Sequence, residues 1–233
     1  MRAVRLRLVA TVVISGGTGG LGTAVTRNLL DAGWHAVVPT RPGAGDGGVQ
    51  PHPELELIEA DLFDAADARR VIDSAGSDLG AVVNLVGGFS AGARVHETPI
   101  EEFEHQFKLN LRPAYLLCSA ALPAMLERGA GSIVCVSARA ALVPFAGAAG
   151  YIASKAAVLA FVDALAAEYT RDGIRTNAII PSVIDTPANR VSQPDADHSR
   201  WAKPDEIARA IRFLCSEDSI ATSGAHIPVY GRA

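Results

Sequence analysis

The sequence predicts a doubly wound α/β fold, a parallel sheet of about seven strands with helices on both faces. Short apolar runs rich in β-branched residues alternate with longer helical stretches along the chain. A glycine-rich turn, Ser15-Gly16-Gly17-Thr18-Gly19-Gly20-Leu21-Gly22, follows the first of those runs. The length of 233 residues, with 49% hydrophobic and 20% charged side chains, is enough to bury a core within one domain of this kind.

Residues 9–14 form an apolar, β-branched run suited to a central strand buried on both faces. The glycine turn follows, and the next helix runs to about Asp31 and stops at Gly33, the residue type that ends helices in left-handed geometry. Residues 36–38 give a second strand. Residues 41–53 are dense in glycine and proline and are expected as loop. A third strand at 55–58 and a helix at 64–75 come next, then a fourth strand at 81–86. Thr98-Pro99-Ile100-Glu101 reads as a capping box with proline in the first turn, so a long helix is expected to start there. The fifth strand is expected at 132–136, a helix at 150–170 and the sixth strand at 176–180. A helix at 205–215 behind Pro204 and a seventh strand at 226–229 complete the pattern. No linker, internal repeat or shift in composition divides the chain, so residues 1–233 are expected to be one domain.

Charge and composition exclude several roles. A formal net charge of −4 argues against nucleic-acid or anionic-membrane partners. Residues 1–7 carry three arginines, but the apolar run from Leu8 leads into the glycine turn without a cleavage-like site and reads as strand. No apolar stretch is read as long enough to span a bilayer. Cys118, Cys135 and Cys215 lie in apolar stretches without metal-ligand spacing. They are expected as buried, reduced thiols of a cytoplasmic protein, and no metal is expected. No Gly-x-Ser-x-Gly elbow suggests a hydrolase.

Two motifs carry chemistry. The glycine turn sits between a buried strand and a helix, where it lets the backbone approach a pyrophosphate at the helix N-terminus. Downstream, Tyr151-Ile152-Ala153-Ser154-Lys155 sets a phenol and an ammonium four residues apart, on one helix face. A free tyrosine has a pKa near ~10, too high for ready proton exchange at neutral pH. A neighbouring positive charge favours the phenolate. Bringing the phenol near neutrality takes roughly 4 kcal/mol of differential interaction, and Lys155 is the residue expected to supply it.

In the spacing of Gly16, Gly20 and Gly22, and in Tyr151 with Lys155, the chain resembles the short-chain dehydrogenase/reductases, in their single-domain NAD(P)-dependent branch, over nearly its whole length. The resemblance implies a Rossmann-type oxidoreductase that moves hydride between a nicotinamide and a C=O or C=N carbon of a small substrate, working as a homodimer or homotetramer. It implies cofactor contacts from Ser15, Gly16, Gly20, Leu21 and Gly22, and from Asp61 and Leu62, the aspartate meeting the adenine. Asn84 and Gly87 belong to Asn84-Leu85-Val86-Gly87, which replaces the family's Asn-Asn-Ala-Gly. Pro181, Ile184 and Thr186 belong to Pro181-Ser182-Val183-Ile184-Asp185-Thr186, which resembles the segment holding the nicotinamide carboxamide, with serine in place of the usual glycine. At the end of the second strand an acidic residue would bind the ribose 2′-OH. Thr40 and Arg41 stand there instead, and a guanidinium can pair with a 2′-phosphate. NADP(H) is the expected cofactor, with NAD(H) as the alternative.

The family's catalytic set is Asn, Ser, Tyr and Lys. Asn110, Tyr151 and Lys155 match three of these, with Asn110 expected in mid-helix and implied to hold a water that links the lysine to solvent. The serine belongs thirteen positions before the tyrosine, where this chain has Ala138. Ser137 is one residue early, and strand neighbours point to opposite faces, so it substitutes only if the chain bulges there. A lost oxyanion donor costs about 10²–10³ in rate. Three readings stay open. The substrate can dispense with that hydrogen bond, as a C=N or quinonoid system would: the dihydropteridine reductases of the same superfamily lack the serine, and Ala138-Arg139-Ala140-Ala141-Leu142 resembles their segment. Ser137, or a lid residue such as His198, can compensate. Or the site is impaired and only binds nucleotide.

Residues 187–203 take the place of the family's substrate lid and include Arg190, Asp195, Asp197, His198, Arg200 and Trp201. Trp201 is the expected substrate wall, since a large aromatic gains little by exposure. Phe89, Arg94 and His96, after the fourth strand, are further candidates. A nucleotide-binding protein without turnover and a lyase or isomerase on the same scaffold are the alternatives to an oxidoreductase.

Overall fold

The structure is a computed structural model and describes residues 10–232. Among these residues seven strands form one sheet in the order β3-β2-β1-β4-β5-β6-β7, every pair parallel. They are β1 Thr11–Ser15, β2 His35–Thr40, β3 Leu55–Glu59, β4 Leu79–Asn84, β5 Gly131–Val136, β6 Ile174–Pro181 and β7 His226–Val229. The helices are α1 Gly22–Asp31, α2 Ala65–Ser74, α3 Ile100–Asn110, α4 Arg112–Arg128, α5 Ala149–Tyr169, α6 Pro187–Ser192 and α7 Pro204–Cys215.

Alternation along the strands builds two cores. Val12 and Ile14 of β1, Ala81 and Val83 of β4 and Val134 of β5 pack with α1 and α7. Val13, Val82, Ile133 and Cys135 pack on the other side with α2, α4 and α5. Burial on both faces is why these strands read as unbroken apolar runs. The strand order reverses between β1 and β4, and at such a switch a crevice opens beyond the strands' C-terminal ends.

Several elements depart from the sequence reading. β4 runs Leu79–Asn84 rather than 81–86, because the chain leaves the ladder where β1 and β4 diverge; the Leu85 N–H still reaches the Ser15 carbonyl at 3.1 Å. Thr98 does not cap a helix. Its hydroxyl donates to the Arg94 carbonyl at 2.9 Å, closing a 3-10 turn at Val95–Glu97, and α3 begins at Ile100 behind Pro99. The long helix expected from there is broken into α3 and α4 at Leu111, where φ is −115°. Pro113 has no N–H to offer the Leu109 carbonyl, so Asn110 ends α3 instead of lying in mid-helix. Val9 and the arginines of 1–7 lie outside the described residues. The expectation that no segment could cross a bilayer also needs correction. Ala149–Asp172 reaches a mean hydropathy of 1.4 over an 18-residue window, enough by length and composition. In the fold this helix packs against α3 and β6 and carries the buried Lys155.

Candidate active site

Glycines shape the crevice beyond β1. Gly16 adopts a φ of +71°, which L side chains rarely tolerate. A Cβ on Gly22 would stand 1.9 Å from the Gly16 carbonyl oxygen, and one on Gly20 would stand 3.0 Å from Thr186 Cγ2. The turn therefore closes on itself at the first residue of α1 and faces the segment after β6. Helix α1 has no capping side chain, with Leu21 at its cap position, and no carboxylate in its first turn. Its orphan N–H groups suit an anion such as a pyrophosphate, so the residues present fit a dinucleotide.

Other cofactor candidates divide. Gly87 and Thr186 border the crevice; Thr186 Oγ1 accepts the Asn189 N–H at 3.3 Å and so keeps its own proton to donate. Asp61 is exposed, its Oδ1 accepting the Phe63 N–H at 3.0 Å, while Leu62 beside it is buried. Pro181 ends β6, and the Ile184 carbonyl accepts the Asn189 amide at 2.8 Å. Arg41 is exposed after β2 and makes no ion pair among the described residues. Two candidates are turned inward. Ser15 is fully buried, its Oγ accepting the Leu85 N–H at 3.3 Å. Asn84 donates to Cys118 Sγ at 3.4 Å and to Cys135 Sγ at 3.6 Å, because strand parity aims it at the α4 side of the sheet. Both side chains hold strands together rather than line the crevice. Ser182, the departure from the family's glycine, donates to the Tyr230 carbonyl at 2.7 Å and ties the lid's root to the chain after β7.

Gly87, Asn110 and Lys155 converge. A Cβ at Gly87 would lie 2.7 Å from Asn110 Oδ1 and 2.9 Å from Lys155 Nζ. Asn110 Oδ1 accepts the Gly88 N–H at 2.9 Å, and its amide donates to Ser154 Oγ at 2.9 Å and Gln106 Oε1 at 3.4 Å. Ser154 in turn donates to the Tyr151 carbonyl at 2.8 Å. This chain clamps α3, α5 and the loop after β4 together. Sequence reading missed Gln106 and Ser154, although one sits a turn before Asn110 and the other beside Lys155.

Lys155 Nζ donates to the Val136 carbonyl at 3.1 Å. Burial drives its pKa down to about 8, partly offset by Cys135. Burial pushes the Tyr151 phenol up to about 12. The expected depression of the phenol by the ammonium is thus reversed: desolvation dominates both groups, and the ammonium is engaged by a backbone oxygen. Ser137 offers no free hydroxyl, since its buried Oγ donates to the Lys155 carbonyl at 2.7 Å. Its N–H continues the ladder to the Ile179 carbonyl at 2.9 Å, so the chain keeps its strand register there and Ser137 stays on the α5 side. Ala138 follows in extended geometry.

The substrate candidates also divide. The Phe89 ring stands edge-on to Tyr151, centroids 4.9 Å apart at 82°. Phe145, which the sequence reading passed over despite the apolar run Leu142-Val143-Pro144-Phe145, lies 6.4 Å from Phe89. His96 is exposed and pairs with its neighbour Glu97 at 3.8 Å. Trp201 is only 7% exposed, packed 4.4 Å from the His198 ring. It lines a cavity of about 760 Å³ between the lid and residues 228–232, and Tyr151 is not part of that lining. The lid's polar groups satisfy one another: Arg190 grips Asp185 at 2.5 and 2.9 Å, holding that carboxyl below the usual range, and His198 Nε2 lies 2.8 Å from the Gln193 carbonyl.

A family model described as short chain dehydrogenase matches residues 10–197. The chain is 35% identical over 189 residues to a 2-(R)-hydroxypropyl-CoM dehydrogenase of Xanthobacter autotrophicus, covering 75% of this chain and 76% of that protein. It is 30% identical over 240 residues to the 4-formylbenzenesulfonate dehydrogenase TsaC1/TsaC2 of Comamonas testosteroni, covering 94% and 95%. A solved structure from Beutenbergia cavernae, provisionally assigned as an NAD(P)-dependent gluconate 5-dehydrogenase and holding NADP at low occupancy, superposes with a TM-score of 0.83 at 26% identity, covering 96% of each chain. With the family model matching most of its length, the chain belongs to the short-chain dehydrogenases and is an oxidoreductase that uses a nicotinamide dinucleotide.

Proposed function

We propose that the protein is an NADP(H)-dependent oxidoreductase of a C=O or C=N carbon in which Tyr151 exchanges the substrate proton. The observation that carries this reading is the convergence of Gly87, Asn110 and Lys155, on the helix that bears Tyr151, at the crevice between β1 and β4. The cofactor supplies or accepts hydride at nicotinamide C4. Gly16, Gly20 and Gly22 leave room for its pyrophosphate, Thr186 turns its methyl toward Gly20 and leaves its hydroxyl proton unshared, and the exposed Arg41 is the cation available to a 2′-phosphate. With its pKa near 12, Tyr151 is held protonated at neutral pH and serves as the acid in reduction. Lys155, protonated below about pH 8, is the cation whose field favours the phenolate as it forms. Asn110, fixed by Ser154 and Gly88, keeps α3 and α5 in register for that exchange.

The chain acts as one domain, with 187–203 as its lid. It works as a cytoplasmic homodimer or homotetramer with its three buried cysteines reduced. The self-association is supported by the outer face of α4 and α5, where Tyr115 is 55% exposed and its ring lies 5.9 Å from Phe161. The test of function is NADPH oxidation against carbonyl, quinone and imine substrates, with Tyr151→Phe alongside. Turnover reduced by about 10² or more in Tyr151→Phe is expected, the range for a positioned acid/base. Unchanged turnover in that variant, or tight NADPH binding with no turnover on any substrate, would overturn the reading in favour of a nucleotide-binding protein.

A further inference from the structure

The loops after β4 and β5 meet beside Tyr151. The Gly92 N–H donates to the Gly147 carbonyl at 2.8 Å, which joins them into one rim. That rim exposes large apolar side chains where a soluble surface would hide them. Phe89 is 65% exposed and Phe145 48%, and Val95, Leu142 and Val143 are each more than half exposed. Apolar exposure concentrated around a crevice marks a binding surface. Of its charged side chains, Arg94 is exposed without an ion pair among the described residues, while Arg139 is drawn off onto the Tyr230 ring at 5.0 Å. Ser90 is likewise engaged, donating to Glu102 at 2.7 Å.

We infer that this rim selects a flat aromatic carbonyl compound, or the matching alcohol, with Phe89 and Phe145 as the specificity-determining residues. Phe89 is edge-on to Tyr151 at 82° and tilted 39° to Phe145, so three rings stand together on the rim at different angles. A planar ring entering beside Tyr151 meets an edge or a face at each of them, the arrangements aromatic pairs prefer. A puckered aliphatic ring buries similar area without those quadrupole contacts. The occupant is small because the rings stand beside the Tyr151 phenol and not on a flat outer face. Ala138 agrees with this in one respect: with no hydroxyl at that position, orientation of the carbonyl falls to the rings and to the single donor Tyr151. The inference takes its site from the reductase reading, but its test does not depend on turnover.

Benzamide and cyclohexanecarboxamide are uncharged, similar in size and not readily reduced, so they report ring recognition alone. Their binding to the NADPH-saturated protein is measured by calorimetry in wild type, Phe89→Leu and Phe145→Leu. Leucine keeps apolar bulk at these half-exposed positions, and an unchanged melting temperature confirms the fold. Benzamide is expected to bind about fivefold more tightly than the cyclohexyl amide, the scale of one or two aromatic pairs. That ratio is expected to fall to about one in Phe89→Leu and partway in Phe145→Leu. Equal affinities in wild type, a ratio unmoved by both variants, or no binding of either amide overturns the inference. If the preference disappears while Tyr151-dependent NADPH oxidation persists, only the aromatic assignment fails. If the preference holds while no carbonyl, quinone or imine substrate supports oxidation, the reductase reading fails and the aromatic site stands.

Discussion

Burial separates the two titrating residues of the candidate site by setting Lys155 near 8 and Tyr151 near 12. As pH rises through about 8 the lysine loses its proton first and the phenol keeps its own. The ratio kcat/KM for NADPH reports ionisations of the free enzyme. It is expected to fall above pH 8 with the slope of a single ionisation, and Lys155→Met is expected to lie on a low plateau without that limb. A limb near the ordinary lysine value of 10.5 would mean that burial does not govern this group. Stability follows with a fixed sign. A lowered lysine pKa contributes in full above the ordinary lysine range and is lost as pH falls through about 8. Thermal stability without cofactor should therefore rise between pH 8 and 10 as far as this residue decides it.

At the scale of elements, the loop after β4 passes between α3 and α5 through the space left by Gly87. Gly87→Ala places a methyl 2.7 Å from Asn110 Oδ1 and 2.9 Å from Lys155 Nζ. Its backbone is outside the positive-φ set, so alanine is admitted by conformation, and its methyl forces Asn110 Oδ1 and Lys155 Nζ to move. Displacing a reacting constellation by an ångström costs about 10² in rate, which is the loss in kcat expected for this variant with its fold retained. A kcat within a factor of about three of wild type would show that the clamp is not needed for chemistry. The elements themselves were legible in sequence because burial on both faces leaves unbroken apolar runs for strands, and glycine and proline punctuate the rest. The break at Leu111 is written in the sequence as Pro113, which the reading of one long helix passes over. Parity along β5 correctly separated Ser137 from Ala138. Applied equally to β1 and β4, it would have turned Ser15 and Asn84 inward too, where the family motif drew them toward the cofactor. Ser182 was beyond sequence reading, because its partner is the Tyr230 carbonyl and no local pattern announces a contact so distant along the chain; the same holds for the cavity that Trp201 shares with residues 228–232.

For the whole molecule, the cofactor crevice is assembled from segments remote in sequence: the glycine turn, the loop after β2 and the segment after β6. Gly20 faces Thr186, and Gly47 in the loop after Arg41 folds against Thr18. A ligand that spans these segments binds the folded chain and not the unfolded one, and so adds stability by mass action. At a hundred times its Kd the gain is ~2.7 kcal/mol, and for a chain of this length each kcal/mol raises Tm by about 2–4 °C. Saturating NADPH should therefore lift the melting temperature by about 5–11 °C. The corner beyond β2 is where we propose that NADPH and NADH are told apart. Glu59 pairs with Thr40 across β2 and β3, and its Oε1 accepts the Gly43 N–H at 3.2 Å, while Arg41 makes no ion pair among the described residues. An exposed guanidinium worth about tenfold in affinity for a 2′-phosphate corresponds to ~1.4 kcal/mol. Arg41→Ala should lower the NADPH shift by about 3–6 °C at fixed concentration and leave the NADH shift unchanged. Equal shifts with the two cofactors, both indifferent to Arg41→Ala, would instead make the Glu59 carboxylate the group that reads the ribose and NAD(H) the cofactor.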